Sequence, residues 1–446
     1  MLLFIMIISN IILVYSLPVN DSSTSTRAKY PYGEVLEQSL LFYEAQRSGP
    51  LPASNRVAWR GDSALGDEVV GGYYDAGDYV KFGFPMASMT TVLAWGGVSF
   101  YAGYEEAGLL DRFDECLKWS LDYFMAAHTA DHELVGQVGD GYEDHAYWGR
   151  PEEMTMTRPA FKITEEAPGS DLAGETAAAL AAGALYFHMR GQEEYSSQCL
   201  THAKTLFSFA TEHRGSYVDS ITQAADFYNS WNGYHDELVW AAAWLAKATQ
   251  DPEYTDKAES LYEEFDDIHI VPEDGFSWDT KVAGCQLLLW ELTGNEKYKA
   301  SVEDFLNYLK HTEYTPAGLV WLPSVSQWSS LRHAAGLAHF ALQAAKLEID
   351  VEESQLFAES QVNYVLGDTG RSYVIGWGVN PPVRPHHRSS SCPDLPAPCD
   401  WDQYSNPGTN WQTLHGAIVG GPDKNDQFVD QRDNYMVNNY YLSSLY

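Results

Sequence analysis

GETAAALAAGAL, residues 174–185, decides the fold. Its small residues recur so that one side of a helix carries little but Ala and Gly. Two further stretches repeat the pattern, ELVWAAAWLAKA at 237–248 and HAAGLAHFALQAA at 333–345. Small side chains let helix backbones approach closely, and the inner layer of a ring of paired helices, an (α/α)6 barrel, requires that. An ordinary α-rich globule is the alternative that the pattern leaves open.

Helical periodicity extends outward from these three stretches. It predicts about eleven helices, at 33–47, 87–101, 111–127, 172–190, 195–213, 235–249, 253–265, 280–292, 296–310, 328–347 and 352–366. Between them lie long loops rich in Gly, Pro and Trp, at 48–84, 129–170, 214–233, 311–327 and 367–434. Loops of such length in a helical domain usually carry function. Nothing from residue 31 onward has linker composition, so a single all-α domain is expected over 31–446.

Composition narrows the function. Acidic residues outnumber basic ones by 62 to 27, a formal charge of −35, which repels a phosphate backbone and argues against nucleic acid. No internal run reaches the ~18–20 apolar residues of a membrane span. The one long apolar run, MLLFIMIISNIILVYS, is read as a secretory signal over residues 1–16 with cleavage after Ser16, although no Lys or Arg precedes it; an anchoring segment is the alternative. Residues 17–30 are Ser/Thr-rich and expected to be flexible, and they carry the N-x-S sequon at Asn20. Five cysteines are too few for a disulfide scaffold; Cys392 and Cys399 could pin a Pro-rich loop, while Cys116, Cys199 and Cys285 read as buried thiols.

Four constellations carry chemistry. GGYYDAGDYVKFG at 71–83 sets Asp75 and Asp78 three apart among glycines that permit tight turns, so both carboxylates can face one cleft and work as base and supporting partner. An Asx turn or helix cap is the structural alternative. SYVIGWGVNPPVRPHHRSSSC at 372–392 presents His386, His387 and Arg388 after a proline-stiffened loop. Imidazole and guanidinium donors suit a polyol; a purely structural role competes, and joint metal ligation is disfavoured because adjacent side chains diverge in an extended loop. His235, Asp236 and Glu237 open a helix, where acids are favoured, yet with loop carbonyls of Asn232 and Gly233 and with Asp279 they could hold Ca²⁺. Finally, Trp148, Trp278, Trp321, Trp401 and Trp411 sit in loops, where they can stack on sugar faces or plug the space beneath.

The whole chain resembles the glycoside hydrolase family 9 endoglucanases, the animal-type cellulases. The resemblance rests on LLFYEAQRSGPLPASNRVAWRGDSAL, GGYYDAGDYVKFGFPM, GRPEEMTMTRPAFKI, PGSDLAGETAAALAAG, DELVWAAAWL and NPPVRPHHRSSSCP, in order from about 31 to 435. It implies an (α/α)6 barrel with an open cleft and a secreted, monomeric endo-β-1,4-glucanase. The expected partner is β-1,4-glucan, with neither nucleic acid nor membrane. It also implies inversion, in which one carboxylate activates water and an acid opposite protonates the leaving oxygen. By position, Asp78 is implied as base, Asp75 as the residue that helps hold the water, and His386 and Asp430 as further catalytic-site residues. His145, Trp148, Trp278, Trp321 and Arg388 are implied to contact sugar. Asp236, Glu237 and Asp279 are implied as structural Ca²⁺ ligands. One departure stands out. The closing motif fits through Phe428, Asp430 and Tyr435, but the position of the family's acid Glu is Asn439, and YYLSSLY follows in place of the acidic, alanine-rich last helix. An impaired glucanase with a truncated last helix is therefore expected, a carbohydrate-binding pseudoenzyme being the alternative.

Overall fold

The computed structural model describes residues 28–439; the expected signal segment, the Asn20 sequon and the tail after Asn439 lie outside them. Eleven helices of twelve residues or more fill the described chain: α1 (Tyr32–Gln46), α2 (Gly83–Ser99), α3 (Leu110–Ala127), α4 (Ser170–Met189), α5 (Glu193–Glu212), α6 (His235–Thr249), α7 (Pro252–Glu264), α8 (Val282–Thr293), α9 (Glu296–His311), α10 (Ser330–Lys346) and α11 (Val351–Asn363). The expected segments coincide with them to within a few residues.

Their packing is that of an (α/α)6 barrel. The even-numbered helices α2, α4, α6, α8 and α10 pack one on the next as an inner layer, and α3, α5, α7, α9 and α11 each lie outside the helix that precedes them. The sequence dictates which helix goes where. The inner α2 and α4 are apolar and small all round and almost wholly buried, whereas the outer α3 and α9 are amphipathic, with only one face covered. Small residues set the spacing: a Cβ at Gly174 of α4 would stand 3.0 Å from the Glu237 carbonyl oxygen of α6. Within the ring Trp95, Trp240, Trp244 and Phe276 meet mostly edge to face, and His339 of α10 closes on Trp95 at 5.1 Å.

A buried ion cluster ties the inner layer together. Lys281, at the N-cap of α8, places its ammonium 3.2 Å from Glu175 Oε2 of α4 and 3.4 Å from Glu237 Oε1 of α6, with all three side chains sealed from solvent. Thr91 of α2 and Trp240 of α6 donate to Glu175 Oε1 at 2.6 and 3.2 Å. Four inner helices thus share one set of charge-assisted bonds.

The long loops are not structureless. They contain a four-stranded antiparallel sheet that the all-helical periodicity did not reveal: β1 (Lys81–Phe82), β2 (His128–Ala130), β3 (Glu133–Val138) and β4 (Ala160–Ile163), with β3 paired to the other three. A hairpin of β5 (Glu313–Tyr314) and β6 (Val320–Trp321) adds a second, smaller sheet. Strands this short carry too few alternations to register as period two. β1 follows directly on the Asp75–Asp78 loop, so the sheet anchors that loop. Beneath it Asp67 accepts from Lys81 at 2.7 Å and from Arg158 at 2.6 Å. Burial lowers the Lys81 ammonium to about 8 against the pull of Asp67. Cys392 and Cys399 form a disulfide, and Cys116, Cys199 and Cys285 are buried thiols. Among the described residues no helix is long and apolar enough to cross a membrane.

Replacing Lys281 by Met should destabilise the barrel by about 3–5 kcal/mol, because Glu175 and Glu237 would be left as uncompensated buried charges. Burial, then the neighbouring Asp236, raises the folded pKa of Glu237 above its unfolded value, so Glu237 opposes folding once it must ionise. The deficit in urea midpoint against the parent should therefore grow from pH 5 to pH 8.

Candidate active site

A cavity of about 350 Å³ opens at one end of the barrel, lined by Asp75, Asp78, His145, Trp148, Tyr228, His386, Arg388 and Asn439 among others. Two loops build it. The first is the turn Asp75-Ala-Gly-Asp78, in which the Asp78 amide donates to the Asp75 carbonyl at 3.2 Å and the Asp75 amide to the Val80 carbonyl at 2.9 Å. Ala76 takes a left-handed φ of 31°, an uncommon conformation for a residue with a side chain. Gln46, at the end of α1, holds it there: its Nε2 donates to the Ala76 carbonyl at 2.6 Å. The second loop is 385–391. His387 turns away from the cavity, and its two partners fix its tautomer. Its Nδ1 accepts from the Ser390 amide at 2.9 Å, so Nε2–H donates to Gln46 Oε1 at 2.8 Å. One glutamine therefore clamps both loops. Gly77 makes their close approach possible, since a Cβ there would lie 2.2 Å from the His386 carbonyl oxygen and 3.3 Å from Asn439 Oδ1.

The two aspartates sit in different surroundings. Asp75 is buried and accepts from the Tyr228 hydroxyl. Burial, and then the neighbouring Asp78, push its carboxyl well above the ordinary range, so Asp75 holds a proton where a free carboxylate would not. Asp78 is more open; its Oδ1 accepts from the Val80 amide at 3.0 Å and its Oδ2 lies 3.3 Å from His145 Nε2. His386 is opposite. Its Nδ1 donates to the Arg432 carbonyl at 2.8 Å, which leaves Nε2 with a lone pair, and burial lowers its pKa to about 4, so the ring is neutral. Its amide donates to the Asn438 carbonyl at 2.9 Å, so the chain end that carries Asn439 is hung from the histidine loop. Asn439 follows the single helical turn Tyr435–Asn438, and its Oδ1 is buried without a hydrogen-bond partner among the described residues.

The structure brings Asp75, Asp78, His145, Trp148, His386 and Arg388 together, as the sequence predicts. It differs elsewhere. Arg388 lines the cavity but commits its charge to a residue the sequence reading passed over: its Nη1 donates to Asp144 Oδ2 at 2.6 Å and to the Asp144 carbonyl at 2.9 Å. That ion pair joins the histidine loop to the segment bearing His145. Trp148 is an edge of the wall, its Nε1 tied to Ser391 Oγ at 3.0 Å and its ring against His386, Trp401 and Tyr404. Trp278 and Trp321 are corrections. Trp278 is 8% exposed and packs edge-on beneath Tyr228, and Trp321 is 4% exposed within β6; neither lines the cavity. Both belong to loops that fold down onto the core, so the plugging alternative applies to them. Trp231, beside Trp278, is the exposed ring of that pair. Asp430 also lies outside the cavity; its oxygens accept from the Val383 and Arg384 amides at 2.8 and 3.2 Å and hold the proline loop. Tyr228 carried no motif signal, Gln46 lay inside the LLFYEAQRSG stretch without being singled out, and the one signal for Asp144 was its adjacency to His145.

The expected calcium ligands are differently disposed as well. Asp236 Oδ2 accepts from the Lys281 amide at 2.6 Å, while Asp279 accepts from the Trp231 amide at 3.1 Å and from Asn232 Nδ2 at 2.9 Å. These three carboxylates are not one of the close triads that could grip a metal as they stand. The Lys281 ammonium supplies one cation, yet Asp236, Glu237, Asp279 and Glu175 crowd around it. Burial, then mutual repulsion, raises Glu237 and Asp279 well above the ordinary range, and burial raises Asp236. Asp236 Oδ1 and Glu237 Oε2 are buried without hydrogen-bond partners among the described residues. Unpaired carboxylate oxygens in an acidic excess fit an oxygen-seeking divalent cation.

Residues 32–443 match the family described as Glycosyl hydrolase family 9. The chain belongs to that family. The solved structure of an endoglucanase from the termite Nasutitermes takasagoensis superposes with a TM-score of 0.90 at 53% identity, over 93% of this chain and 96% of that one. Endoglucanase CelQ from Clostridium thermocellum, solved with cellotriose, gives 0.83 at 36% identity over 93% of this chain and 68% of that one. Endoglucanase A of Bacillus pumilus is 45% identical over 93% of this chain, and the chain spans 65% of that protein's length.

If Gly77 sets the separation of the two loops, Gly77→Ala should leave the far-ultraviolet circular dichroism unchanged. The packing of Trp148 on His386 should change, read as an altered near-ultraviolet circular dichroism spectrum.

Proposed function

We propose that the protein is a secreted endo-β-1,4-glucanase with its base side intact and its acid side compromised. The carrying observation is the joint placement of Asp75, Asp78, His145, His386 and Asn439 around one aromatic-walled cavity. A β-linked glucan presents apolar ring faces and equatorial hydroxyls. Trp401 and Tyr404 offer apolar surface to the first, and the free Nε2 of neutral His386 offers an acceptor to the second. The cello-oligosaccharides bound by CelQ support this substrate class. The Cys392–Cys399 disulfide favours an oxidising compartment, in keeping with secretion.

In the inverting reaction Asp78 takes a proton from the attacking water while Asp75, fixed by the Tyr228 hydroxyl, helps to hold it. Departure of the glucosyl oxygen then needs a proton from the opposite side. By the family's closing motif Asn439 stands at the position of the acid, and an amide has no proton to give at neutral pH. Hydrolysis of polymer should therefore be slow while binding persists, which keeps a binding-only role as the second reading. The barrel's acidic cluster adds a structural role for Ca²⁺. Asp236 Oδ1, Glu237 Oε2, Asp279 and the carbonyls of Asn232 and Gly233 would hold the ion, which supplies charge neutralisation and no chemistry at the cleft.

Asn439→Glu should raise carboxymethyl-cellulose hydrolysis by about 10²–10⁴-fold, and should change cleavage of an aryl cellobioside with a good leaving group far less. Asp78→Asn should abolish both. Equal rates for the parent and Asn439→Glu on both substrates would mean that another residue supplies the proton. Separately, millimolar Ca²⁺ should raise the melting temperature of chelator-treated protein and Asp236→Asn should remove that rise; a melting temperature indifferent to chelator would rule the ion out.

A further inference from the structure

Away from the cleft, His132, Glu165 and His213 bring one ligand atom each to within 4.8 Å of one another. We propose that they form a binding site for a divalent first-row transition metal, with zinc as the test ion. The three donors come from separate segments that the fold pins independently. His132 is in the tight turn between β2 and β3. Glu165 is in the turn after β4, closed by the Thr164 amide donating to the Ala167 carbonyl at 2.8 Å. His213 caps α5, and its carbonyl accepts from Ser170 Oγ of α4 at 3.3 Å. The rings are held as well. His132 stacks on Phe209 with centroids 5.6 Å apart, and His213 lies 5.9 Å from the same ring and 4.9 Å from His132.

The donor set decides the ligand class. His132 Nδ1 contacts Glu165 Oε1, and an ion pair alone would be complete with those two. Such a pair does not need the second imidazole, which stands 4.9 Å from the first, where two protonated rings would repel. Two neutral imidazoles and a carboxylate instead offer three lone pairs converging on one point. Nitrogen donors select zinc, copper or nickel over calcium or magnesium. Asp131 and Glu212, which flank the cluster, add negative potential toward a cation. The site is part-exposed, with side-chain accessibilities of 31% for His132 and 49% for Glu165, so an ion can enter and keep water on its remaining positions. A bound metal would staple the edge of the sheet, whose β1 carries the Asp75–Asp78 loop, to the end of the outer helix α5.

The test uses the full chain, stripped with chelator and titrated with Zn²⁺ by calorimetry and with Co²⁺ by visible absorption. One ion per chain with micromolar affinity is expected, with Co²⁺ bands of nitrogen-ligated intensity and a zinc-dependent rise in melting temperature of roughly 2–5 °C. His132→Asn with His213→Asn should abolish the bands and weaken Zn²⁺ by at least about tenfold. Glu165→Gln, at an exposed position where folding is not at stake, should weaken Zn²⁺ by a smaller factor in the same direction. Binding that survives all three changes would place the ion elsewhere, the Asp78–Asp144–His145 cluster of the cleft being the first alternative, and would overturn the proposal. No Zn²⁺ binding tighter than millimolar would overturn it equally.

Discussion

One ammonium group organises the interior. Lys281 stands between Glu175 and Glu237, and through Thr91 and Trp240 the contact reaches four of the inner helices. Helices lined with Ala and Gly pack closely but specify little about rotation or register, because their surfaces are nearly featureless. A buried charge has no such tolerance: each donor and acceptor must find its partner or forfeit several kcal/mol of solvation. The small residues bring the helices near, and the ion cluster selects the arrangement in which Lys281 is satisfied. The same cluster lies directly behind the Asp236–Asp279 carboxylates and, through the Trp278 carbonyl that accepts from Lys281, beneath the ring that supports Tyr228. The position of Asp75 is thus coupled to the centre of the barrel.

At the cleft, the constraint passes from charge to hydrogen bonding. Gln46 accepts from His387 with one end of its amide and donates to Ala76 with the other. A carboxylate at 46 would lose the donor and a lysine would lose the acceptor, so only an amide of this length serves both loops. Arg388 makes the third link, pairing with Asp144 so that the His145 segment moves with the histidine loop. The result is a site in which Asp75, His386 and Arg388 are each held from behind, by the Tyr228 hydroxyl, the Arg432 carbonyl and Asp144. That arrangement suits catalysis, where positioned groups need not reorganise.

Most of the helical frame was legible because long helices write their period many times over, and α4 and α6 repeat it with unusually small residues. The carboxylate and histidine loops were legible as motifs. What stayed hidden has a physical cause in each case. The four-stranded sheet is built of segments of two to six residues, too short for alternation to emerge. Gln46 sits in an unremarkable helical context and acquires its role from two loops about 30 and 340 positions away. Trp278 and Trp321 look like the other loop tryptophans in sequence, and only the path of the loop decides whether a ring faces solvent or core. Arg388 was placed at the cavity correctly, but its commitment to Asp144 depends on a contact 244 positions distant.

Asn439 poses the question of how far binding and bond cleavage are separable in this architecture. Its neighbours hold the chain where an acid would be needed. Asn438 donates to the Val429 and Gln431 carbonyls at 3.0 and 2.8 Å, and its own carbonyl accepts from His386. The backbone that delivers residue 439 to the cleft is therefore fixed by contacts that do not involve its side chain. Under the proposed function an amide in that position would still offer Nδ2 as a donor to a glycosidic oxygen, and the ground-state complex would be retained. What it cannot do is move a proton as the bond breaks, so transition-state stabilisation would be lost without a corresponding loss of affinity. Under the proposed function such a cleft would grip glucan through Asp78, His386 and its aromatic wall, while turnover would rest on the one atom type at residue 439.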